Sequence, residues 1–207
     1  MSLKELLDDK GVGIAEIGAW LDGLDHDARK AAAFTLDRAG QRALYERAAK
    51  GPAITLEHFV PDGVADRTEV IHHGRNTLPL PAGQKLFQKR FCRPGEGDAA
   101  RGSGMYGYNE APTRGLIGPG YFVAIETAGK PEWEVRGAIV VDYFQVPEGP
   151  VVDGWPDVVP NSRGLQFFVY NKTRDFMRRV SQHVSIGAAY KKEKALGHFF
   201  ILVREDA

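Results

Sequence analysis

The chain contains a single cysteine, Cys92, so it can close no internal disulfide. It also lacks a surplus of either charge: 27 Lys and Arg residues stand against 27 Asp and Glu, for a formal charge of zero. Such a chain carries no global field that would draw it to a polyanion, and nucleic acid is not expected as a partner. Long apolar runs are missing as well. Gly137-Ala-Ile-Val-Val141 is typical of the longest and falls far short of a bilayer span, so no membrane insertion is expected. The opening Met1-Ser-Leu-Lys-Glu-Leu-Leu-Asp-Asp-Lys10 meets a charge every few residues and has no apolar signal-peptide stretch. A cytoplasmic location is the expectation.

Motifs for the commoner chemistries are absent or fail in context. The six histidines, His26, His58, His72, His73, His183 and His198, make no H-E-x-x-H pair and no Cys/His zinc spacing, so no metal site is expected. His72 and His73 would point to opposite faces of a strand. Gly102-Ser-Gly-Met-Tyr-Gly107 spells G-x-G-x-x-G, but a dinucleotide site needs a strand before it and a helix after it. Here Gly95-Glu-Gly-Asp-Ala-Ala-Arg101 precedes, and Pro112, Gly115 and Pro119 interrupt the segment on the other side. No cofactor is identified. Arg163-Gly-Leu-Gln-Phe-Phe-Val-Tyr170 partly resembles the aromatic RNA-binding strand of an RRM, but departs from it at Leu165 and Gln166.

What the chain does have is order in its patterning. Ser2 and Glu5 have capping-box spacing, and Ile14, Ile17, Leu21 and Leu24 recur at helical steps. Asp25 or Asp27 can cap a third helix, and Leu44, Tyr45 and Ala48 suggest a fourth before Gly51-Pro52 stops it. Beyond residue 52 the pattern turns to strands. Tyr121–Thr127 and Val135–Val146 are rich in β-branched and aromatic residues and predict a hairpin. Leu165–Tyr170 and His198–Arg204 are further strand candidates, Leu86–Cys92 could be strand or helix, and Ile54–Val60 is a weaker strand candidate. Asn171 or Thr173 can cap a helix that carries Phe176, Met177, Val180 and Val184 on one face. The expected fold class is therefore α+β: a short N-terminal helical segment, then a mainly antiparallel β-sheet domain with one C-terminal amphipathic helix. Residues 1–51 are expected to form a helical subdomain and 52–207 a β-rich domain.

Two glycine- and proline-rich stretches, 93–120 and 147–164, flank the predicted hairpin and read as long ordered loops. In an antiparallel hairpin the chain enters and leaves at the same end, so the two loops should converge there. The residues that could line a cleft between them are Tyr106, Tyr108, Asn109, Glu110, Arg114, Asp142, Trp155, Asn161 and Arg163. Aromatic area with a few amides and charges suits a small-molecule ligand, which is the leading expectation. An enzyme using Asp142 or Glu110 as acid/base in the same cleft is an alternative. A third is a protein-interaction module, with the N-terminal helices or the basic 173–194 segment as its contact surface. No catalytic residue is assigned and no oligomeric state is implied.

Overall fold

The structure, a computed structural model, describes residues 1–206. Four helices come first: α1 (Leu3–Asp8), α2 (Ile14–Asp22), α3 (His26–Phe34) and α4 (Arg38–Ala48). Side chains cap three of these starts, and the spacing predicted those at Ser2 and Asp25. Ser2 and Glu5 exchange backbone bonds in a capping box, Asp25 accepts from the Ala28 amide at 2.8 Å, and Asp37 accepts from the Gly40 amide at 2.8 Å. These helices are too short to stand alone. They bury Ile17, Leu21 and Leu44 against Val184, Ile186, Ile201 and Val203 of a β-sheet.

That sheet is a closed antiparallel barrel of eight strands in simple sequence order. The strands are β1 (Val70–Asn76), β2 (Leu86–Cys92), β3 (Gly104–Glu110), β4 (Phe122–Glu126), β5 (Ile139–Asp142), β6 (Thr173–Arg179), β7 (Val184–Lys191) and β8 (Lys194–Arg204). β1 pairs with β8 to close the ring, which leaves no unpaired edge. Short helices α5 (Arg114–Ile117), α6 (Pro131–Glu134) and α7 (Gln166–Val169) lie in its connections. Among the described residues no helix is long and apolar enough to cross a membrane.

The expected α+β architecture with a C-terminal helix is thus corrected to a barrel with few short helices. The segment expected to be that helix is β6 and the turn into β7. Its apolar residues mislead because both faces of β6 are covered. Met177 points into the barrel, while the neighbouring Phe176 points out beneath Trp133 and Tyr190. A strand buried on both sides loses the alternation that would reveal it. Leu165–Tyr170, expected as a strand, contains α7 instead. Ile54–Val60, weakly strand-like, forms a single 3₁₀ turn at Leu56–His58 that closes one end of the barrel. There the Phe59 ring lies 4.7 Å from that of Phe91, and its carbonyl accepts from His72 Nε2 at 3.0 Å.

The stretch 93–120 is not one loop, because β3 runs through it. Its glycines disguised the strand, and the packing explains them. Gly107 faces Phe122 across β3–β4, Gly74 faces Phe87 across β1–β2, and Gly187 faces Phe200 across β7–β8. In each pair the ring lies over the glycine so closely that a Cβ there would stand under 3 Å from ring carbons. The rings fold down into the barrel in the space the missing side chains leave free.

Candidate functional site

Residues that point into the barrel are mostly apolar: Phe91, Met105, Phe122, Ala124, Ile139, Val141, Met177 and Leu202. Against that lining stands a buried polar quartet near the end opposite the Phe59 plug, called here the mouth. Lys89 on β2, Asn109 on β3, Tyr143 just after β5 and Asp175 on β6 meet in the lumen. β2 and β6 lie four strands apart in either direction around the ring, so Lys89 and Asp175 reach each other across the barrel axis. The Lys89 ammonium is 3.1 Å from Asp175 Oδ2 and 3.1 Å from Asn109 Oδ1, and it also donates to the Tyr143 hydroxyl. Asn109 Nδ2 in turn donates to the Gly120 carbonyl at 2.9 Å.

Four aromatic rings surround the ammonium. Its nitrogen lies 4.9 Å from the ring centres of Phe122 and Tyr143, 5.0 Å from Phe200 and 5.9 Å from Phe87. Three of these are the rings held over glycines. A cation among aromatic faces is stabilised by their quadrupoles, most of all where water is excluded.

Burial sets the electrostatics. It lowers the pKa of Lys89, opposed by the Asp175 carboxylate, and raises that of Asp175, opposed by Lys89. Burial and the neighbouring Asp175 hold the Tyr143 phenol well above its usual range. Burial thus works against both charges, and each charge is held by the other across 3.1 Å.

Tyr170 closes the quartet from the mouth side. Its ring stacks on Tyr143 with centroids 5.3 Å apart and planes 18° from parallel. Gly120, with φ of +56°, makes room for it, since a Cβ there would lie 2.4 Å from the Tyr170 ring. The lid is completed by α7, whose Gln166 side chain accepts from the Gly120 amide at 2.8 Å.

The residues expected from the sequence to line a cleft are divided by the barrel wall. Tyr106, Tyr108, Glu110, Arg114 and Trp155 do come together, but outside it. The rings of Tyr108 and Trp155 are 4.9 Å apart, Arg114 Nε donates to Glu110 at 2.9 Å, and Tyr106 packs with Cys92 and Val123 under residues 151–155. The 147–164 connection is strapped over this outer face, with Trp155 Nε1 donating to Glu69 at 2.6 Å. Asn109 alternates to the inside and belongs to the quartet. Asp142 faces out on β5, 3.3 Å from Arg174. Asn161 is buried and donates to the carbonyls of Tyr121 and Tyr143 at 2.7 and 2.9 Å, which staples the strap to the mouth. Arg163 is exposed on the same connection.

No family model, curated protein or solved structure matches this chain. The chemistry of the site has to be read from its own residues. Among the described residues no three His, Cys, Asp or Glu side chains come together as metal ligands would. Cys92 is buried under the strap, which pushes its thiol up to about 12, and a thiol held protonated is a poor nucleophile. Lys89, Tyr143 and Asp175 were missed in the sequence. The available signal was a lysine between Phe87 and Phe91 on one face of a strand, a position where a charge requires a partner.

Proposed function

We propose that this barrel binds a small apolar molecule carrying one uncharged hydrogen-bonding group, such as a ketone or an alcohol, in the mouth half of its lumen. The reading rests on one observation: a buried, charge-balanced polar quartet lies directly beneath the ring of Tyr170 at the mouth of a mostly apolar lumen. A ligand would take the place of Tyr170 and present its oxygen to Lys89 or Tyr143. The group would be uncharged because Asp175 already neutralises Lys89, and a further carboxylate would leave a net buried charge. The apolar remainder would pack among Phe87, Phe200 and Tyr143. Small-ligand sites of this kind pair an apolar lining with a few convergent polar groups.

The test is calorimetric titration of a long-chain ketone, alcohol and carboxylate into the wild type, Tyr170→Ala and Lys89→Met. The ketone or alcohol should bind the wild type, bind more tightly to Tyr170→Ala, and bind Lys89→Met about tenfold or more weakly, as loss of a hydrogen bond from a charged donor implies. Absence of binding to both wild type and Tyr170→Ala, or unchanged affinity in Lys89→Met, refutes the reading.

A catalytic reading has one observation in its favour: the Lys89 amine, its pKa lowered by burial, lies 3.1 Å from the Asp175 carboxyl group. Such an amine would condense with a bound aldehyde. Borohydride treatment in the presence of a long-chain aldehyde would then fix a mass increment on Lys89 alone, and its absence leaves the binding reading by itself.

A further inference from the structure

The exposed large apolar side chains are gathered at one end of the molecule. Of eleven, all but Met1 and Val135 lie on the connections and strand ends around the mouth. The most prominent are Leu116 on α5, at 73% exposure, and Phe168 on α7, at 72%. Phe167, Leu165 and Val169 accompany them. The segments that bear them touch: α7 is tied to the loop after α5 through Gln166 and Gly120, and Lys191 Nζ donates to the Phe168 carbonyl at 3.0 Å. The amide of Lys192 in the β7–β8 turn donates to the Lys172 carbonyl at 3.0 Å.

This apolar surface has a basic collar. Arg163, Lys172, Lys191, Lys192 and Lys194 surround it, and among the described residues none forms an ion pair with a carboxylate. The nearby acids are mostly committed. Glu110 is held by Arg114, Asp142 by Arg174, and Glu193 by Arg136 and Arg174, while Glu148, Asp153 and Asp157 on the 147–164 connection are exposed. A neutral chain thus presents a positive end.

We propose that the mouth end docks on the surface of an anionic lipid bilayer, without spanning it. Phe167, Phe168 and Leu116 enter the boundary between headgroups and acyl chains, and the five cations lie against the anionic headgroups. Protruding aromatics with flanking Lys and Arg are the composition that favours such an interface, and each part supplies a different term, apolar burial and electrostatic attraction. A second copy of the chain fits this surface poorly, because a symmetric contact would set the two basic collars against each other. The inference does not depend on the lumen holding a ligand.

The experiment is co-sedimentation of the full chain with vesicles of phosphatidylcholine alone and of phosphatidylcholine mixed with phosphatidylserine, at low and high salt. Two double variants, Lys192→Glu with Lys194→Glu and Leu116→Ser with Phe168→Ser, change only exposed side chains, and thermal melting controls for the fold. The protein should partition onto the phosphatidylserine vesicles and not the neutral ones, and high salt should release it. Loss of each lysine's attraction should weaken partition about fivefold, and the apolar variant should weaken it at low salt, where the wild type binds. Failure to bind phosphatidylserine vesicles, or binding that neither variant alters, overturns the proposal. So does a dimer in solution that Leu116→Ser with Phe168→Ser dissociates, which would assign the surface to a second copy.

Discussion

Lys89 and Asp175 face each other across the barrel from diametrically opposite strands, with 3.1 Å between ammonium and carboxylate. The pair is a strut inside an apolar lumen, and its energetics differ from those of a surface ion pair. Taking two charges out of water is expensive, and their attraction only offsets that cost when both are present.

Removing one member therefore costs far more than removing both. Asp175→Ala should destabilise the fold by about 3–5 kcal/mol, because it strands the buried ammonium. Lys89→Met combined with Asp175→Leu should stay within about 1 kcal/mol of the wild type. Urea unfolding of the two variants distinguishes these outcomes, and equal losses would show that the strut itself stabilises the barrel.

The plugged end predicts acid sensitivity. Burial holds the pKa of His72 down to about 3 and that of His58 well below its usual range. In the unfolded chain each titrates near its ordinary value of about 6.5. Below that pH the unfolded state takes up protons that the folded state refuses, so the stability present at neutral pH is lost as pH falls from about 6.5 towards 3. The slope is about 1.4 kcal/mol per pH unit for each histidine. His72→Gln keeps a donor for the Phe59 carbonyl and cannot titrate in this range, so its unfolding free energy should fall less steeply with acid. An unchanged slope would exclude His72 as a source.

Much of this could be read in the sequence, and the rest was hidden for identifiable reasons. The caps at Ser2 and Asp25 act within one turn, so local spacing revealed them, whereas the Asp37 cap was not read. The β4–β5 hairpin was also legible, because Val123, Ile125, Val140 and Val141 give a strong β signal on both arms. Closure of the barrel was not, since it depends on β1 meeting β8 more than a hundred residues away along the chain. β3 was obscured by Gly104 and Gly107; the role of Gly107 appears only once Phe122 is seen lying across β3, and Gly104 packs against the backbone of Ala124. The outer cluster of Tyr108, Glu110, Arg114 and Trp155 was legible as a meeting of two segments. The inner quartet, Asn109 apart, was not, because its members come from three strands and the turn after a fourth, and one of those strands, β6, reads as a helix.

The glycine–phenylalanine pairs are testable by double mutation. A Cβ at Gly187 would stand 2.2 Å from the Phe200 ring, so Gly187→Ala should cost about 1–3 kcal/mol through overpacking. Adding Phe200→Leu should recover at least about 0.5 kcal/mol of that loss, the coupling expected of residues in contact. Strict additivity in a thermodynamic cycle would show that the ring is not held by the missing side chain.

The strap over the outer wall can be followed through Cys92. Its thiol lies beneath residues 151–155 and should react with iodoacetamide far more slowly than a free thiol. Trp155→Ala removes the packing on Tyr108 and the bond to Glu69, and should speed labelling while leaving the far-ultraviolet circular dichroism unchanged. A labelling rate indifferent to Trp155 would mean that other contacts hold the strap.

The central claim, that a ligand's oxygen reaches the quartet beneath Tyr170, is tested most directly by nitrogen-15 NMR of the Lys89 ammonium. The ammonium is shielded from solvent and its signal should be observable in the free protein. Adding a long-chain ketone should shift that signal and, with it, the ring protons of Tyr143. A ketone that binds while leaving both unmoved would contradict the account.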